Sequence, residues 1–317
     1  MRVLLVRTSS LGDLIHILPA VSDMAVQRPE IKVDWVVEQA FVEIAQWHPF
    51  VNQVIAVAHR RWRRAWWSEQ SRRERAQVNQ TIRAANYDLV IDMQALLKSI
   101  GLVRAASGVK HGLGWRSARE PLCSLFYDVR HRVAFWQPAV TRQRQLAAAA
   151  LGYESQGAPD FGLSRWLQPK AAETPYAVVM PSASRDDKLW PQKSWQAVFD
   201  RLQLAGLQLR LLAGSAQEAD RAHDLIKGRQ SALVQPRSSL TELAQLMGQA
   251  RVMVGLDSGL THLSAAIGVD TIGIYKASTP VRTPLTGSGY VVSLGERNNE
   301  PQAQAVIDAV DQALARR

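Results

Sequence analysis

The sequence predicts an α/β protein made of two doubly wound domains, each a parallel sheet covered by helices on both faces. The chain has 317 residues, which exceeds a typical single core and fits two domains of about 150 residues each. Apolar, β-branched runs without polar alternation recur along it, as in strands buried on both faces. Helical stretches separate these runs, and that alternation is typical of parallel sheets.

The first half carries four of these strand-like runs with helices between them. Its first run begins at the second residue and is followed at once by small hydroxyl residues and a glycine. The predicted elements are RVLLVRT (2–8), a helix over about 13–28, KVDWVVE (32–38), a helix near 40–47, VNQVIAV (51–57) and YDLVIDMQ (87–94). This order predicts a Rossmann-like half.

The second half repeats the pattern after an irregular stretch rich in Gly, Pro and small residues, about 153–175. Such a composition marks a domain boundary, which we place near 165, giving domains 1–165 and 166–317 that we expect to face a cleft. The predicted elements are YAVVM (176–180), a helix at 192–205, LQLRLLAG (207–214), a helix at 216–227, SALVQ (231–235), a helix at 239–249, RVMVGLD (251–257), a helix after Gly259, DTIGIYK (270–276) and a final helix within QAQAVIDAVDQALARR.

The composition excludes several classes of protein. A chain with 47% hydrophobic and 21% charged residues is an ordinary globular protein, not a disordered or fibrous one. It contains no apolar run of 18 residues and no signal-peptide pattern at its start, so we expect a cytoplasmic protein. The single cysteine, Cys123, agrees with a reducing compartment because it cannot form an internal disulfide.

The net charge of +10 lies mostly in the first half, since residues 1–165 carry +8 of it. Its densest part is HRRWRRAWWSEQSRRER (59–75), in which seven arginines are interleaved with three tryptophans. Arginine suits phosphate and carboxylate, and tryptophan suits a membrane interface. Nucleic acid, an anionic membrane, a phosphorylated substrate or simply a solvated basic helix all remain compatible with this segment.

Ligands of doubly wound sheets bind beyond the carboxyl ends of the strands, where this chain places polar residues. The first strand is followed by TSSLGD, which contains Asp13. Neither GxGxxG nor GxxxxGK[ST] occurs here, so a dinucleotide fingerprint and a P-loop are absent. The residues alone favour a helix cap for Asp13, with a catalytic base as the alternative.

Three later loops suggest an anion site in the second half. Lys188 follows YAVVM as a possible phosphate partner or a plain exposed lysine. Glu218 opens a helix, where it complements the helix dipole or binds a ribose. RVMVGLD leads into a helix amino terminus that suits a pyrophosphate, with the polar residues Asp257, Ser258, Thr261 and His262 beside Gly259. The histidines lack metal-ligand spacing, and HExxH and CxxC are missing, so no essential metal is expected.

Four ordered motifs resemble the lipopolysaccharide heptosyltransferases of glycosyltransferase family 9, over essentially the whole chain. They are RTSSLGDLIHILPA (7–20), RRWRRAW (60–66), RDDKLWP (185–191) and GLDSGLTHLSAA (255–266). The resemblance implies a glycosyltransferase B architecture, with the acceptor bound by the first domain and the donor by the second. It implies transfer of L-glycero-D-manno-heptose from ADP-heptose to Kdo2-lipid A, with inversion, by a peripheral protein at the inner face of the cytoplasmic membrane. No cofactor and no nucleic acid are then expected, and the final helix is expected to pack back on the first domain.

The resemblance also implies roles for particular residues. Asp13 becomes the general base, with Ser10 and Gly12 shaping the acceptor's approach, and Lys188 neutralises the departing diphosphate. The donor-binding residues are Ser184, Lys188, Glu218, Asp257, Ser258, Gly259, Leu260 and His262. Candidates for the acceptor's carboxylates and phosphates are Arg60, Arg61, Arg63, Arg64, Lys98 and Arg119.

The chain departs from the family pattern at two places. Ala183 replaces one member of a common hydroxyl pair, and Tyr275 to Thr279 replace a YG-x-T stretch. Heptosyltransferase II, which adds the next heptose, is the alternative within the family, although its amino-terminal loop usually lacks TSSLGD. An NAD-dependent oxidoreductase and a basic nucleic-acid or membrane-surface binding protein are the alternatives outside it.

Overall fold

The chain folds into two units, Met1–Gly162 and Leu163–Arg317, each built around a six-stranded parallel sheet. The computed structural model describes residues 1–163, 172–183 and 185–316. The predicted boundary near 165 falls among residues outside this description. The predicted class of two doubly wound α/β units is confirmed.

The sheet of the first unit has the strand order β3-β2-β1-β4-β5-β6. Its strands are β1 (Arg2–Val6), β2 (Lys32–Glu38), β3 (Val51–Val57), β4 (Leu89–Asp92), β5 (Val109–Leu113) and β6 (Val129–His131). The four predicted strands are confirmed, and β5 and β6 were missed. Both missed strands, VKHGL and VRH, are short and polar because they lie toward one edge of the sheet, so no apolar run marks them.

Two helices of the first unit occur where the sequence pattern predicts one. They are α1 (Leu11–Ile15), α2 (Leu18–Gln27), α3 (Val42–Trp47), α4 (His59–Arg64), α5 (Glu69–Ala84), α6 (Leu97–Ala105) and α7 (Ala139–Leu151), with 3-10 turns at Gln39–Phe41 and Pro121–Phe126. The single helix expected over 13–28 is two helices, because Pro19 cannot donate the amide hydrogen bond that would continue α1.

The second unit repeats the same topology, with the strand order β12-β11-β10-β7-β8-β9. Its strands are β7 (Tyr176–Met180), β8 (Gln208–Leu211), β9 (Ala232–Val234), β10 (Val252–Leu256), β11 (Thr271–Ile274) and β12 (Val291–Leu294). Its helices are α8 (Gln192–Leu204), α9 (Ala216–Ile226), α10 (Leu240–Gly248), α11 (Gly259–Ala266) and α12 (Ala303–Leu314), with a 3-10 turn at Asp186–Lys188. All predicted elements are present, and the half-buried strand β12 was missed.

The final helix α12 belongs to the core of the second unit. Its buried side chains Val306, Ala309, Val310 and Ala313 join the apolar cluster beneath β10 and β11. The second sheet thus buries the apolar face of this helix, and packing of the helix on the first domain stays a prediction. None of the helices in the described part of the chain combines the length and apolar character needed to cross a membrane.

The strand orders fix where ligands are expected to bind. In each sheet the order reverses at the central pair, which is β1 with β4 in the first unit and β7 with β10 in the second. Such switch points leave a crevice at the carboxyl ends of the two strands. The segments that follow these four strands contain Asp13, Gln94, Lys188 and Asp257.

Candidate functional site

Lys188 and Asp257 lie at the switch point of the second sheet. Lys188 ends the 3-10 turn after β7, and Asp257 directly follows β10. Lys188 Nζ donates to Asp257 Oδ2 at 2.7 Å and to the Asp257 carbonyl at 3.0 Å. With 19% and 12% of their side chains exposed, the two groups form a partly desolvated ion pair, so Lys188 is not the plain exposed lysine that the sequence left open.

Two further side chains hold the Asp257 carboxylate. His262 Nε2 lies 3.3 Å from Oδ1, and Ser278 Oγ donates to Oδ2 at 2.5 Å. Burial alone would raise the pKa of this carboxyl, but contacts with His262, Lys188 and Ser278 hold the pKa well below its usual range. The carboxylate is therefore ionised at neutral pH. Ser278 belongs to the departure from the YG-x-T pattern, so this chain supplies a hydroxyl there.

The amino terminus of α11 begins beside Asp257. Ser258 caps it by accepting the Thr261 amide, while the Thr261 hydroxyl donates to the Leu256 carbonyl at 2.6 Å. A side chain at Gly255 would collide with that hydroxyl, since an added Cβ would lie 2.5 Å from it. The first amides of the helix, those of Gly259 and Leu260, have no acceptor within the helix. Such a helix end favours an anion, and binding of the diphosphate here stays a prediction.

Glu218 lies at the start of α9, where its Oε2 accepts the Gly214 amide at 2.6 Å. It therefore stabilises the turn between β8 and α9, which agrees with the helix-terminus alternative and leaves ribose binding as a prediction. Lys276 pairs with Glu300 at 2.7 Å and donates to the Leu189 carbonyl, next to Lys188 in sequence. Ser184 lies outside the described residues.

Asp13 lies in the first turn of α1, immediately after Gly12. Its Oδ2 accepts hydrogen bonds from the Ser10 amide at 3.0 Å and the Ser10 hydroxyl at 2.8 Å. Its Oδ1 lies 2.7 Å from Arg7 Nη2, and 38% of the side chain is exposed. Asp13 thus takes part in capping α1 from the third helical position, with Ser10 as the N-cap residue, and its half-buried carboxylate remains accessible for chemistry.

The Asp13 carboxylate is kept ionised by its neighbours. Burial by itself would raise the pKa of Asp13, but the Arg7 guanidinium and the Ser10 donors hold that pKa below its usual value. Arg7 Nη1 also donates to the Met93 carbonyl at 2.5 Å. Arg7 therefore ties the loop after β1 to the loop after β4.

Gln94 makes a second tie between these two loops, one that the sequence pattern did not reveal. Its Oε1 accepts the amide and hydroxyl of Thr8, at 3.0 and 2.9 Å, and its Nε2 donates to the Ser9 carbonyl. Gln94 is positioned by Asp92, whose carboxylate accepts the Gln94 amide at 2.8 Å. The signal that could have found both residues is their position at the carboxyl end of the predicted strand YDLVIDMQ, at the edge of the sheet where ligands bind.

A cavity of about 900 Å³ opens in the first unit. Arg60 and Arg63 from α4 line it together with Lys98 from α6, and Lys98 Nζ donates to Ser9 Oγ at 2.8 Å, close to Asp13 in sequence. Apolar groups form much of the remaining cavity surface. The other lining residues are Ser9, Glu38, His59, Trp62, Trp66, Arg72, Arg75, Ala76, Val78, Asn79, Leu97, Gly101 and Leu102.

The cavity separates the predicted acceptor cations into two groups. Arg61 points away to Glu74, which it contacts through Nη1 and Nη2 at 2.9 and 2.8 Å, and it is not part of the lining. Arg64 and the exposed Arg119 are also outside the lining that the described residues provide. In their place α5 contributes Arg72 and Arg75, and Arg75 stacks 3.6 Å from the Trp66 ring centre.

His59 adds a neutral polar group to this cavity. Burial, and then the charge of Lys98, lower its pKa to about 4. Its Nε2 has no hydrogen-bond partner among the residues that the structure describes. Across residues 1–163, 172–183 and 185–316, no group of three or more His, Cys, Asp or Glu side chains is arranged to hold a metal ion.

Comparisons with known proteins agree with this arrangement. The model of glycosyltransferase family 9 (heptosyltransferase) matches residues 75–309. The chain is 42% identical to lipopolysaccharide heptosyltransferase 1 of Escherichia coli (strain K12), covering 97% of this chain and 98% of that one. It is 44% identical to the Pseudomonas aeruginosa protein of the same name, covering 92% and 83%.

The solved structure of E. coli heptosyltransferase WaaC with ADP is similar over the whole fold. Its TM-score is 0.91 at 40% identity, covering 99% of this chain and 100% of that one. The likeness confirms the glycosyltransferase B class of two doubly wound units. The chain belongs to glycosyltransferase family 9, the heptosyltransferases.

Proposed function

We propose that this protein transfers L-glycero-D-manno-heptose from ADP-heptose to Kdo2-lipid A, the first heptosyl transfer of the lipopolysaccharide inner core. The observation that carries the proposal is the convergence of Lys188, Asp257 and the amino terminus of α11 at the second sheet's switch point. The names of its relatives support the heptosyl donor and the lipopolysaccharide product. One solved relative contains ADP-2-deoxy-2-fluoro heptose.

The second unit binds the donor in this proposal. The diphosphate lies against the amides of Gly259 and Leu260, where the helix dipole favours negative charge. When the bond between the anomeric carbon and the diphosphate oxygen breaks, the electron pair leaves with ADP. The Lys188 ammonium neutralises the charge that grows on that oxygen, and a preformed site does so without reorganisation. Ser184 binds a phosphate, and Glu218 binds the ribose.

Asp257 sets the position of two partners in this site, the Lys188 ammonium and the His262 imidazole. Its ionised carboxylate holds Lys188 at 2.7 Å and His262 at 3.3 Å, so the side chains that meet the diphosphate are ordered before it binds. One consequence is that an incoming diphosphate shares Lys188 with Asp257 instead of displacing water from a free ammonium group. The carboxylate oxygens are also hydrogen-bond acceptors for hydroxyl groups of the donor heptose.

Asp13 acts as the general base. A carboxylate is weakly basic toward a sugar hydroxyl, so proton transfer accompanies attack as the anomeric carbon gains oxocarbenium character. The acceptor oxygen bonds to that carbon from the side opposite the departing diphosphate, which inverts the configuration. The proton of the acceptor hydroxyl passes to an Asp13 oxygen, with Arg7 and Ser10 keeping the carboxylate ionised and oriented.

The 900 Å³ cavity of the first unit binds the anionic acceptor. Arg60, Arg63 and Lys98 contact its carboxylates and phosphates, since charge-assisted hydrogen bonds to such groups are the strong ones. This use explains the concentration of positive charge in residues 1–165. Because the acceptor is a membrane glycolipid, the proposed enzyme acts as a peripheral protein at the inner face of the cytoplasmic membrane. A nucleic-acid-binding function would not account for the proposed anion site of the second unit.

The experiment is incubation of the purified protein with ADP-heptose and defined acceptors, followed by mass spectrometry of the products. One heptose should be added to Kdo2-lipid A and none to an acceptor that already carries the first heptose. The opposite preference would identify the activity as that of heptosyltransferase II. Absence of transfer to either acceptor would contradict the proposal.

A further inference from the structure

Large apolar side chains are exposed on the first unit next to the 900 Å³ cavity. Trp66 and Leu97 belong to the cavity lining and are 47% and 50% exposed. Trp67 follows Trp66 and is 84% exposed, while Leu122 and Leu125 are 51% and 62% exposed. We refer to these five residues as the outer apolar group. Single exposed apolar side chains are ordinary, but several beside one cavity indicate an interaction surface.

The turn that carries Leu122 and Leu125 adjoins the cavity through α6. Glu120 Oε2, directly before the 3-10 turn Pro121–Phe126, accepts the Leu97 amide at 2.6 Å. Within this turn Cys123 and Ser124 are buried, at 0% and 3% exposure, while both leucines face outward. The turn therefore has its own packed side, and its leucines are not the residues that attach it to the core.

Several arginines lie near these apolar residues, either in space or in the sequence. Arg130 Nε donates to the Ser124 carbonyl at 2.8 Å, which holds a guanidinium against the turn. Arg119 is exposed three residues before Leu122. Arg75 stacks on Trp66, and Arg64 is exposed beside it in sequence. Exposed tryptophan and leucine next to arginine is the composition of surfaces that bind anionic bilayers.

We propose that the outer apolar group is a docking surface for an anionic lipid bilayer, with Trp67, Leu122 and Leu125 entering the interfacial region. The inference rests on the proposed function for its biological role, but the three residues that enter the bilayer lie outside the lining of the acceptor cavity and take no part in the transfer chemistry. Docking of this kind brings the mouth of the cavity to the level of lipid headgroups. A membrane-embedded acceptor then reaches Arg60 and Lys98 while its acyl chains remain in the bilayer.

The test is co-sedimentation of the full chain with vesicles of phosphatidylglycerol and phosphatidylcholine, compared with phosphatidylcholine alone. The double variant Leu122→Ser/Leu125→Ser and the single variant Trp67→Ser should each lower the partition coefficient on anionic vesicles by about tenfold. The matched controls Val26→Ser and Leu204→Ser remove apolar side chains that are 76% and 83% exposed elsewhere, and should bind like the unsubstituted protein. Neutral vesicles should bind weakly in every case.

Two further measurements distinguish bilayer docking from a catalytic defect and from self-association of the chain. Transfer to a deacylated, water-soluble acceptor should be unchanged in the variants, and transfer to acceptor embedded in vesicles should fall. Vesicle binding equal to that of the unsubstituted protein would overturn the proposal, as would a dimer of the chain that these substitutions dissociate. If no acceptor is glycosylated but vesicle binding still depends on these residues, the proposed function fails and the docking surface stands.

Discussion

Lys188 Nζ and Asp257 Oδ2 lie 2.7 Å apart although 69 positions separate them in the chain. The pair joins the loop after β7 to the loop after β10, at the centre of the second sheet. It thereby fixes a positive charge beside the amino terminus of α11, where the proposed mechanism has the diphosphate bind. The donor half of the proposed mechanism depends on this contact.

Lys188→Met should lower kcat by about 100- to 1,000-fold, because the departing diphosphate loses its nearest ammonium group. ADP should also bind more weakly in calorimetry. Lys193→Met, at an exposed lysine of α8, is the matched control and should leave both quantities unchanged. An unaltered kcat in Lys188→Met would show that the ion pair is only structural.

Asp13→Asn should lower transfer by roughly 100- to 10,000-fold, the usual contribution of a general base, and spare the donor affinity. Asparagine keeps an oxygen that can accept from Ser10, so the helix start should persist. The measurements are a turnover assay on Kdo2-lipid A and calorimetry with an ADP-heptose analogue. Near-normal turnover in this variant would exclude Asp13 as the base.

Arg7→Met should move the acid limb of the kcat/KM profile to higher pH. Arg7 lowers the pKa of Asp13, so its removal raises that pKa, and protonation then inactivates the base at a higher pH. The direction is fixed, because a carboxyl group with a lowered pKa is active above that pKa and loses activity as the pH falls. Arg7→Lys retains the charge and should shift the limb less. If the acid limb does not move, protonation of Asp13 is not the cause of the activity loss at low pH.

Arg60→Ala and Arg63→Ala should each raise the acceptor KM by about tenfold, as expected for loss of a charge-assisted hydrogen bond. Donor binding should not change. Arg61→Ala is the matched control from the same helix, because this guanidinium is engaged by Glu74 outside the cavity lining. Equal effects of all three substitutions would mean that net charge, and not the cavity, governs the acceptor KM.

Asp92→Ala should reduce the free energy of unfolding by roughly 3–5 kcal/mol. The buried carboxylate accepts from the amides of Gln94 and Ala95 and from the hydroxyls of Ser99 and Tyr127. Alanine leaves these donors without an acceptor inside the unit. Asp92→Asn retains an oxygen for the amides and should cost less. Chemical denaturation of both variants measures the difference, and equal losses would rule out this network as the cause.

Local sequence patterns predicted most of the fold. Buried parallel strands such as β1, β7 and β10 are continuous apolar runs, so they are visible without knowledge of their partners. Edge strands β6 and β12 were missed because they are short or only half buried. The break between α1 and α2 was missed although Pro19 marks it, since a continuous apolar pattern crosses it.

The candidate site was predictable to the same extent. Asp13, Lys188 and Asp257 each follow a strand, and the rule that ligands bind at strand ends selects them from chain order alone. Gln94 also lies at a strand end and the same rule could have selected it, but its contacts with Thr8, 86 positions away, are visible only in the structure. All four arginines of α4 were predicted to bind the acceptor. Adjacent positions of a helix point in different directions, so the four side chains cannot all face one cavity.

The sequence by itself determined the class of the two units, the loops that carry the polar residues and the family, because these follow from periodicity, chain order and motif. Only the tertiary structure decided which groups meet. It directed Arg61 to Glu74 and Arg60 to the cavity, placed Arg7 against Asp13, and turned Leu122 and Leu125 outward. Those outcomes depend on contacts between distant segments, and hydrogen bonds and burial act between neighbours in space, whatever their separation along the chain.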